Sequence, residues 1–361
     1  MNQKEYERII EKTVIPGLNT AEEQEKGLND LQTYINKQLP KRLYRYRTCS
    51  ERNFDAFLYD KLWFASGNSM NDDFDARLYF DRKEIKKWMG EFLKQDREKK
   101  LLGQIYQTIG MPVEAEKLLP GISHQFDMLK NMPNETIVRL YREMMKLASE
   151  SLEGELASIT DGIRSIVKFA CFSECKNSNY MWGQYASNST GFTLEYDFDL
   201  QSFAAPIDDE QETERHVGLA LFPIMYRNQQ IDATKYAEWN FQRRMLMKVA
   251  PPQMRQIIGL IFDDLNPSPD LFMGVKLALN KSTEWKSEKE WRLFLLDGSF
   301  DSLAPYISVK YKPSAVYIGR KISDINEKII TTIARSKGIP AFKMEIDPNS
   351  RNFKLVYKQI I

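Results

Sequence analysis

The stretch IVKFACFSECKNSNYMWGQYASNSTGFTLEYDF, residues 166–198, holds two strand-like runs on either side of a short helical one. The runs at 166–174 and 191–198 are rich in β-branched and aromatic residues, which favour strands. Residues 180–185 between them are predicted to form a short helix. This stretch therefore indicates a protein that mixes strands and helices along the chain.

The segments farther out contain the same mixture. LYRYRT at 43–48 and KLWFAS at 61–66 read as strands, and NFDAFLYD at 53–60 reads as a short helix between them. The tail alternates strand-like runs such as YISVKY and SAVYIG with a helix over DINEKIITTIARSKG. The pattern predicts an α+β fold with a central, mostly antiparallel or mixed sheet and large helical insertions.

Three stretches of helical periodicity interrupt the strands. Residues 1–40 are expected to form N-terminal helices, 83–165 a helical insertion and 228–282 a second one. We interpret 1–361 as a single elaborated domain. The two insertions could bind a partner protein, or they could simply cover the sheet.

Composition narrows the classes of function. The 51 basic and 50 acidic residues balance, so the chain lacks the overall positive charge of non-specific nucleic-acid binders. No run approaches the roughly 20 apolar residues that cross a bilayer, and the N-terminus lacks the apolar core of a signal peptide. We expect a cytoplasmic protein without membrane contact. Its three cysteines support neither a disulfide framework nor a zinc site.

Two motifs near the N-terminus are candidates for a binding surface. Tyr44-Arg45-Tyr46 lies in a predicted strand, so either the tyrosines or Arg45 can face a cleft, and the alternative is an exposed arginine on a sheet edge. LWFASGNSMNDDFDAR follows, and most of its asparagines and aspartates are expected to stabilise turns or cap helices. Its oxygen-bearing residues lack the spacing of a calcium loop.

Two further motifs come later in the chain. CFSE with YMWGQYA could form an aromatic-walled pocket, although packing alone could explain the aromatic residues. Ser173 is a poor candidate for a nucleophile, because it lacks the neighbouring base that would activate it. In WKSEKEWRLFLL, a strand would place Glu288 and Glu290 on one face. Because two adjacent carboxylates repel, we expect one of them to be protonated or paired with a cation such as Arg45 or Arg292. A solvated edge strand is the alternative.

Taken in order, these motifs resemble an uncharacterised bacterial family known as a domain of unknown function. The resemblance rests on LYRY, LWFAS with NDDFD, CFSE with N-x-x-MW-x-x-YA-x-x-x-x-G, and W-x-x-E-x-EWR, over about residues 43–320. Members of that family usually have proline where this chain has Asp73. The resemblance implies no particular reaction.

The arrangement at 43–66 is also similar to the opening of the ADP-ribosyltransferase fold, in which a strand residue holds NAD. This resemblance implies that Arg45 binds the phosphates, that Ser173 supports the nicotinamide side, and that Tyr185 or Trp182 stacks on the ring. Tyr44 and Asn71 complete the implied NAD-binding set. The E-x-E element falls on Glu288-Lys289-Glu290, with Glu290 as the catalytic carboxylate and Glu288 beside it.

The resemblance favours an NAD-dependent ADP-ribosyltransferase-like enzyme, with NAD as substrate and a protein or nucleic acid as acceptor. Such an enzyme could be a bacterial toxin or a phage-defence effector. Two other classes stay open: a nuclease or other hydrolase that uses Glu288, Glu290, Asp75 and Glu174, and a non-catalytic nucleotide sensor or interaction subunit.

Overall fold

The computed structural model describes residues 2–13, 21–70, 72–92, 133–208, 215–250, 252, 255–296 and 306–361. Its helices are α1 (Gln3–Lys12), α2 (Ala21–Gln38), α3 (Glu51–Leu58), α4 (Arg82–Phe92), α5 (Asn134–Glu150), α6 (Leu152–Ile166), α7 (Asn179–Gln184), α8 (Thr234–Val249), α9 (Arg255–Leu265), α10 (Met273–Leu279) and α11 (Asp324–Lys337). Its strands are β1 (Arg42–Arg47), β2 (Lys61–Ser66), β3 (Leu78–Tyr79), β4 (Lys168–Ser173), β5 (Phe192–Asp197), β6 (Ser202–Pro206), β7 (His216–Pro223), β8 (Met225–Arg227), β9 (Ile231–Asp232), β10 (Asn280–Ser282), β11 (Glu290–Leu295), β12 (Tyr306–Lys310), β13 (Ala315–Ile318), β14 (Ala341–Ile346) and β15 (Leu355–Gln359).

An 11-stranded mixed sheet forms the centre of the fold. Nine strands follow the order β15-β14-β13-β5-β1-β4-β11-β7-β6, while β2 pairs with β4 and β12. Strands β13 and β14 run parallel, and the other pairs in this sheet are antiparallel. The predicted α+β class with a mixed, mostly antiparallel sheet is therefore confirmed.

The sheet forks along one edge of β4. Strand β1 pairs with β5 along its whole length but with β4 only at Tyr44 and Ser173. The beginning of β4 pairs instead with β2, where Ala65 lies opposite Phe169. Because one edge of β4 serves two different strands, β1 and β2 lie one after the other along it and do not pair with each other. We call this place the fork.

Alternation along β1 buries both of its faces. Leu43 belongs to the main hydrophobic core, whereas Tyr44 and Tyr46 belong to a smaller cluster that includes Trp182. A strand covered on both sides positions its side chains firmly. The two arginines of β1 that share a face with Leu43 are therefore held at the fork.

The helical stretches that lie far apart in sequence pack together. Helices α4, α5 and α6 from the first insertion share one hydrophobic cluster with α8, α9 and α10 from the second. Met145, Phe241 and Phe262 are fully buried in this cluster. The predicted insertion 83–165 is described only in part, because residues 93–132 lie outside the described residues.

The N-terminal stretch contains α1 and α2, which pack on the main core. Tyr6 of α1 and Ile35 of α2 are fully buried there, and the Tyr6 hydroxyl donates to the carbonyl of Pro223 at 2.8 Å. Within the described ranges, no helix combines the length and apolar character needed to cross a membrane.

Candidate functional site

A cavity of about 430 Å³ opens at the fork. Side chains from β1, β2, β4, α7, β10 and β11 line it, together with residues that precede β11. Both arginines of β1 and both glutamates of the E-x-E motif are among them. The fork therefore brings together side chains that are more than 200 residues apart in the chain.

Glu290 opens β11 and is held by two cations. In the sheet, Glu290 lies opposite Ser173 of β4. Its carboxylate accepts hydrogen bonds from Arg292 Nε at 2.8 Å and from Lys281 Nζ at 2.8 Å. Burial alone would raise the pKa of this carboxyl group, but Arg292 and Lys281 outweigh burial and hold the pKa at about 2. Glu290 therefore remains ionised across the physiological range.

Glu288 lies beside Glu290, but not by the predicted strand alternation. It ends a 3-10 turn over residues 283–288, and Lys289 then adopts a left-handed conformation with φ of 46° before β11 begins. The strand predicted over both glutamates is wrong at this point, because the left-handed residue interrupts the extended chain. Lys281 Nζ bridges the two carboxylates, at 2.6 Å from Glu288 Oε2.

The carboxylate of Glu288 has a different environment from that of Glu290. Its second oxygen accepts from the Tyr185 hydroxyl at 2.5 Å. Burial raises the pKa of Glu288, and the lowering effect of Lys281 is too small to cancel that rise. The two glutamates therefore differ: Glu290 stays ionised, and Glu288 binds a proton more readily.

Arg292 connects Glu290 to Asp75 in the interior. Its guanidinium donates to both carboxylate oxygens of Asp75, at 2.8 and 2.5 Å, and no part of the arginine is exposed. Asp75 therefore makes a buried ion pair rather than the turn-stabilising contact predicted for most of its segment. Asp72 does make such a contact, because its carboxylate accepts from the backbone N–H of Phe74 at 2.9 Å.

The buried ionic groups at this end of the cavity do not balance. The carboxylates of Asp75, Glu288 and Glu290 face the cations of Lys281 and Arg292. One negative charge is in excess when all five are ionised. We call these five residues the acidic cluster.

Arg45 and Arg47 give the other side of the cavity the opposite charge. Arg45 Nη2 donates to the Trp63 carbonyl at 2.6 Å, while its Nε and Nη1 are buried and have no hydrogen-bond partner among the described residues. No described carboxylate forms an ion pair with either arginine. Burial and the charge of Arg45 lower the pKa of Arg47 to about 9, which is the response of a cation without a counter-ion.

The other predicted binding residues take different positions. Tyr44 and Tyr185 line the cavity, as does Ser173, whose hydroxyl donates to the Glu288 carbonyl at 2.7 Å and accepts from the Cys175 N–H at 3.1 Å. Ser173 therefore fixes the turn that carries Glu288. Asn71 lies outside the described residues.

Trp182 does not line the cavity and is buried in packing instead. Its indole N–H donates to the Lys176 carbonyl at 2.7 Å, and its ring meets that of Tyr46 edge-on at 5.3 Å between centroids. The stacking role implied for Trp182 is therefore not available to it in this position, and Tyr185, the residue that follows α7, lines the cavity instead.

The cavity residues that were not predicted as site residues include Arg47, Lys281 and Cys171. Arg47 had a usable signal, because period-two alternation places it on the same face as Arg45. Lys281 and Cys171 had none: Lys281 falls within the predicted helical insertion 228–282 but belongs to β10, and Cys171 occupies an ordinary strand position opposite Arg292. Among the described residues, no group of three or more His, Cys, Asp or Glu could hold a metal ion.

The comparison with known families matches part of this site. A family described as "Protein of unknown function (DUF2971)" matches residues 181–293, which run from α7 to the middle of β11. The match confirms the predicted resemblance to a domain of unknown function. It includes Tyr185, Lys281 and both glutamates, whereas Arg45 lies outside it. No curated protein and no solved structure matches the chain.

Proposed function

We propose that this protein is an ADP-ribosyltransferase-like enzyme that uses oxidised NAD as its substrate. One observation carries the proposal: the cavity is bipolar. On one side, no carboxylate among the described residues pairs with Arg45 or Arg47, and on the other side the acidic cluster has excess negative charge.

Oxidised NAD has the complementary distribution of charge. Its pyrophosphate is an anion that guanidinium groups bind through paired hydrogen bonds, and its nicotinamide ring is a cation. The Nε and Nη1 of Arg45, which have no partner in the described part of the chain, supply donors for the pyrophosphate. The ring would then lie toward the acidic cluster, with Tyr185 as an aromatic wall.

The two glutamates suit the two halves of the reaction. When the bond between nicotinamide and ribose breaks, its electron pair leaves with neutral nicotinamide, and positive charge develops on the sugar. Glu290 stabilises that charge, because it stays ionised and its oxygens have lone pairs beyond those used by Lys281 and Arg292. The acceptor then attacks the sugar and loses its proton to Glu288, whose pKa is raised.

The experiment that tests this proposal separates binding from turnover. Purified protein is titrated with oxidised and reduced NAD by calorimetry, and release of nicotinamide or transfer of label is measured with cell lysate as the source of acceptor. We expect tighter binding of the oxidised form, loss of turnover in Glu290→Gln, and weaker binding in Arg45→Ala.

The matched control is Asp270→Asn, which removes a buried carboxylate that pairs with Lys276 outside the cavity. It should leave binding and turnover unchanged in folded protein. Absence of NAD binding at millimolar concentration would overturn the proposal. Binding without any turnover would point instead to a nucleotide sensor that uses the same cavity.

The proposed activity should also affect the growth of the cell that expresses the protein. An enzyme that consumes NAD or modifies an essential acceptor slows growth when it is expressed, as toxins and phage-defence effectors do. Growth inhibition that disappears with Glu290→Gln would support this role. Equal inhibition by both forms would assign the effect to something other than the cavity.

A further inference from the structure

Lys281 is a buried lysine placed between the two glutamates. Strand β10 carries it beside β8, where it pairs with Tyr226, and the Tyr226 hydroxyl in turn accepts from the Glu290 backbone N–H at 2.7 Å. The ammonium lies 2.6 Å from one oxygen of Glu288 and 2.8 Å from one oxygen of Glu290. Its side chain is 4% exposed, so these carboxylates replace water around the charge.

We propose that Lys281 is a positioning residue, which holds Glu288 and Glu290 side by side and determines how readily Glu288 takes up a proton. This role of Lys281 adds to the proposed function. Its effect on catalysis rests on that proposed function, whereas its effect on Glu288 does not. Nothing in the sequence pattern assigns such a role to this lysine.

The charge balance explains why this position needs a cation. Two adjacent carboxylates in a low-dielectric site repel, and without a shared cation one of them binds a proton. Arg292 does not contact Glu288, since its hydrogen bonds go to Asp75, Glu290 and the Ala278 carbonyl. Among the described side chains, Lys281 is the cation in contact with Glu288.

Neighbouring elements supply other groups that face the pair, and these set the background for its titration. They are Tyr180 from α7, Tyr185 directly after α7, Tyr226 from β8, Cys171 from β4, Arg292 from β11 and Asp75 from the segment before β3. Tyr185 gives Glu288 a hydrogen bond but no positive charge. The two other tyrosines, the cysteine and the aspartate carry no positive charge, and the arginine does not contact Glu288.

The test measures the protonation of Glu288 directly as a function of pH. Carboxyl carbons of glutamate are labelled with ¹³C, the Glu288 resonance is assigned by its loss in Glu288→Gln, and its midpoint is followed with pH by NMR. Lys281→Met keeps a long apolar side chain and removes the charge. We expect the midpoint to rise by roughly one to three pH units, the effect of losing an adjacent opposite charge.

Lys276→Met is the matched control, because Lys276 is also buried and forms an ion pair with Asp270 at 2.6 Å. It should leave the Glu288 midpoint in place even where it destabilises the protein. If the midpoint is the same in Lys281→Met as in the unmodified protein, the inference is overturned. Should Lys281→Met fail to fold, Lys281→Gln keeps donor groups without charge and decides the same question.

The catalytic consequence is measured separately. The pH profile of NAD cleavage should shift upward with the Glu288 midpoint in Lys281→Met, and Lys281→Arg should restore most of the original profile. A protein that never cleaves NAD would overturn the proposed function, while the NMR midpoint would still decide the role of Lys281. A profile that does not move while the midpoint does would remove Lys281 from the catalytic scheme.

Discussion

At the residue scale, Arg292 is the side chain on which two buried acids depend. It has no exposed surface and binds both Asp75 and Glu290. Removing one partner from a buried ion pair leaves an uncompensated charge, which costs about 3–5 kcal/mol. We expect Arg292→Met to lower the free energy of unfolding by about this amount in urea titrations.

Arg82→Met is the comparison for that experiment. Arg82 also makes a two-point contact with one carboxylate, that of Glu153, but 50% of the Arg82 side chain and 68% of the Glu153 side chain are exposed. Water solvates both groups when the contact is lost, so stability should barely change. Equal losses in the two variants would mean that burial does not determine the importance of these arginines.

Part of the site geometry could not be predicted from the sequence. Alternation predicts that Glu288 and Glu290 are adjacent, and their repulsion predicts a paired cation such as Arg45 or Arg292. Arg292 does pair with Glu290, whereas Arg45 pairs with neither glutamate. The geometry behind the adjacency is different, because Lys289 is left-handed and Lys281 bridges the carboxylates. The backbone conformation of a single lysine and a side-chain contact across a turn do not produce a periodic pattern in the sequence, so neither could be predicted from it.

At the scale of elements, Gly191 determines how closely β5 approaches β1. A Cβ at this position would lie 2.1 Å from the carbonyl oxygen of Arg47 and 3.1 Å from the Ala186 Cα. Both are backbone atoms, which cannot rotate away as a side chain can. We expect Gly191→Ala to cost about 1–3 kcal/mol in unfolding free energy, as overpacking does, and to weaken NAD binding through Arg47.

Gly183→Ala is the matched substitution for this prediction. Gly183 lies in α7, and a Cβ there would meet nothing within 4 Å. Alanine also favours a helix over glycine, so this variant should be at least as stable as the original. A Gly191→Ala protein as stable as Gly183→Ala would show that the turn before β5 can shift to admit a methyl group.

The positions of these strands could be predicted from the sequence, but which strands pair with each other could not. β1, β2, β4 and β5 lie within a residue or two of the runs that predict them, because aromatic and β-branched residues mark each strand. The fork has no such mark. It arises because β4 offers one edge to both β1 and β2, and partner choice between distant strands depends on packing that no single run contains.

At the scale of the whole molecule, the two larger hydrophobic clusters of the described residues lie in different parts of the fold. The main core packs around the sheet, and the second lies among the helices of the two insertions, with Val167 in contact with both. Phe241→Ala in the helical cluster should cost about 3–5 kcal/mol locally. We expect hydrogen exchange to accelerate in α5 and α8 while β4 and β11 keep most of their protection; uniform acceleration would mean a single cooperative unit.

The pH dependence of stability also belongs to the whole molecule, and the two glutamates act on it in opposite directions. Glu290 has a pKa of about 2 in the folded protein, against an ordinary value of 4.5, so its contribution is present above pH 4.5 and is lost as pH falls toward 2. Glu288 has a raised pKa, so its contribution is present at low pH and is lost as pH rises through that pKa.

Urea titrations of Glu290→Gln and Glu288→Gln across pH 3–8 separate these effects. At neutral pH, Glu290→Gln should be destabilised by a free energy on the order of 3 kcal/mol, and the deficit should shrink below pH 4 because the original carboxylate is losing its advantage there. Glu288→Gln should remove the decline in stability that accompanies ionisation of Glu288, so its relative stability should improve as pH rises. Parallel curves for the two variants would contradict the assignment, since a carboxylate with a lowered pKa and one with a raised pKa change stability in opposite directions with pH.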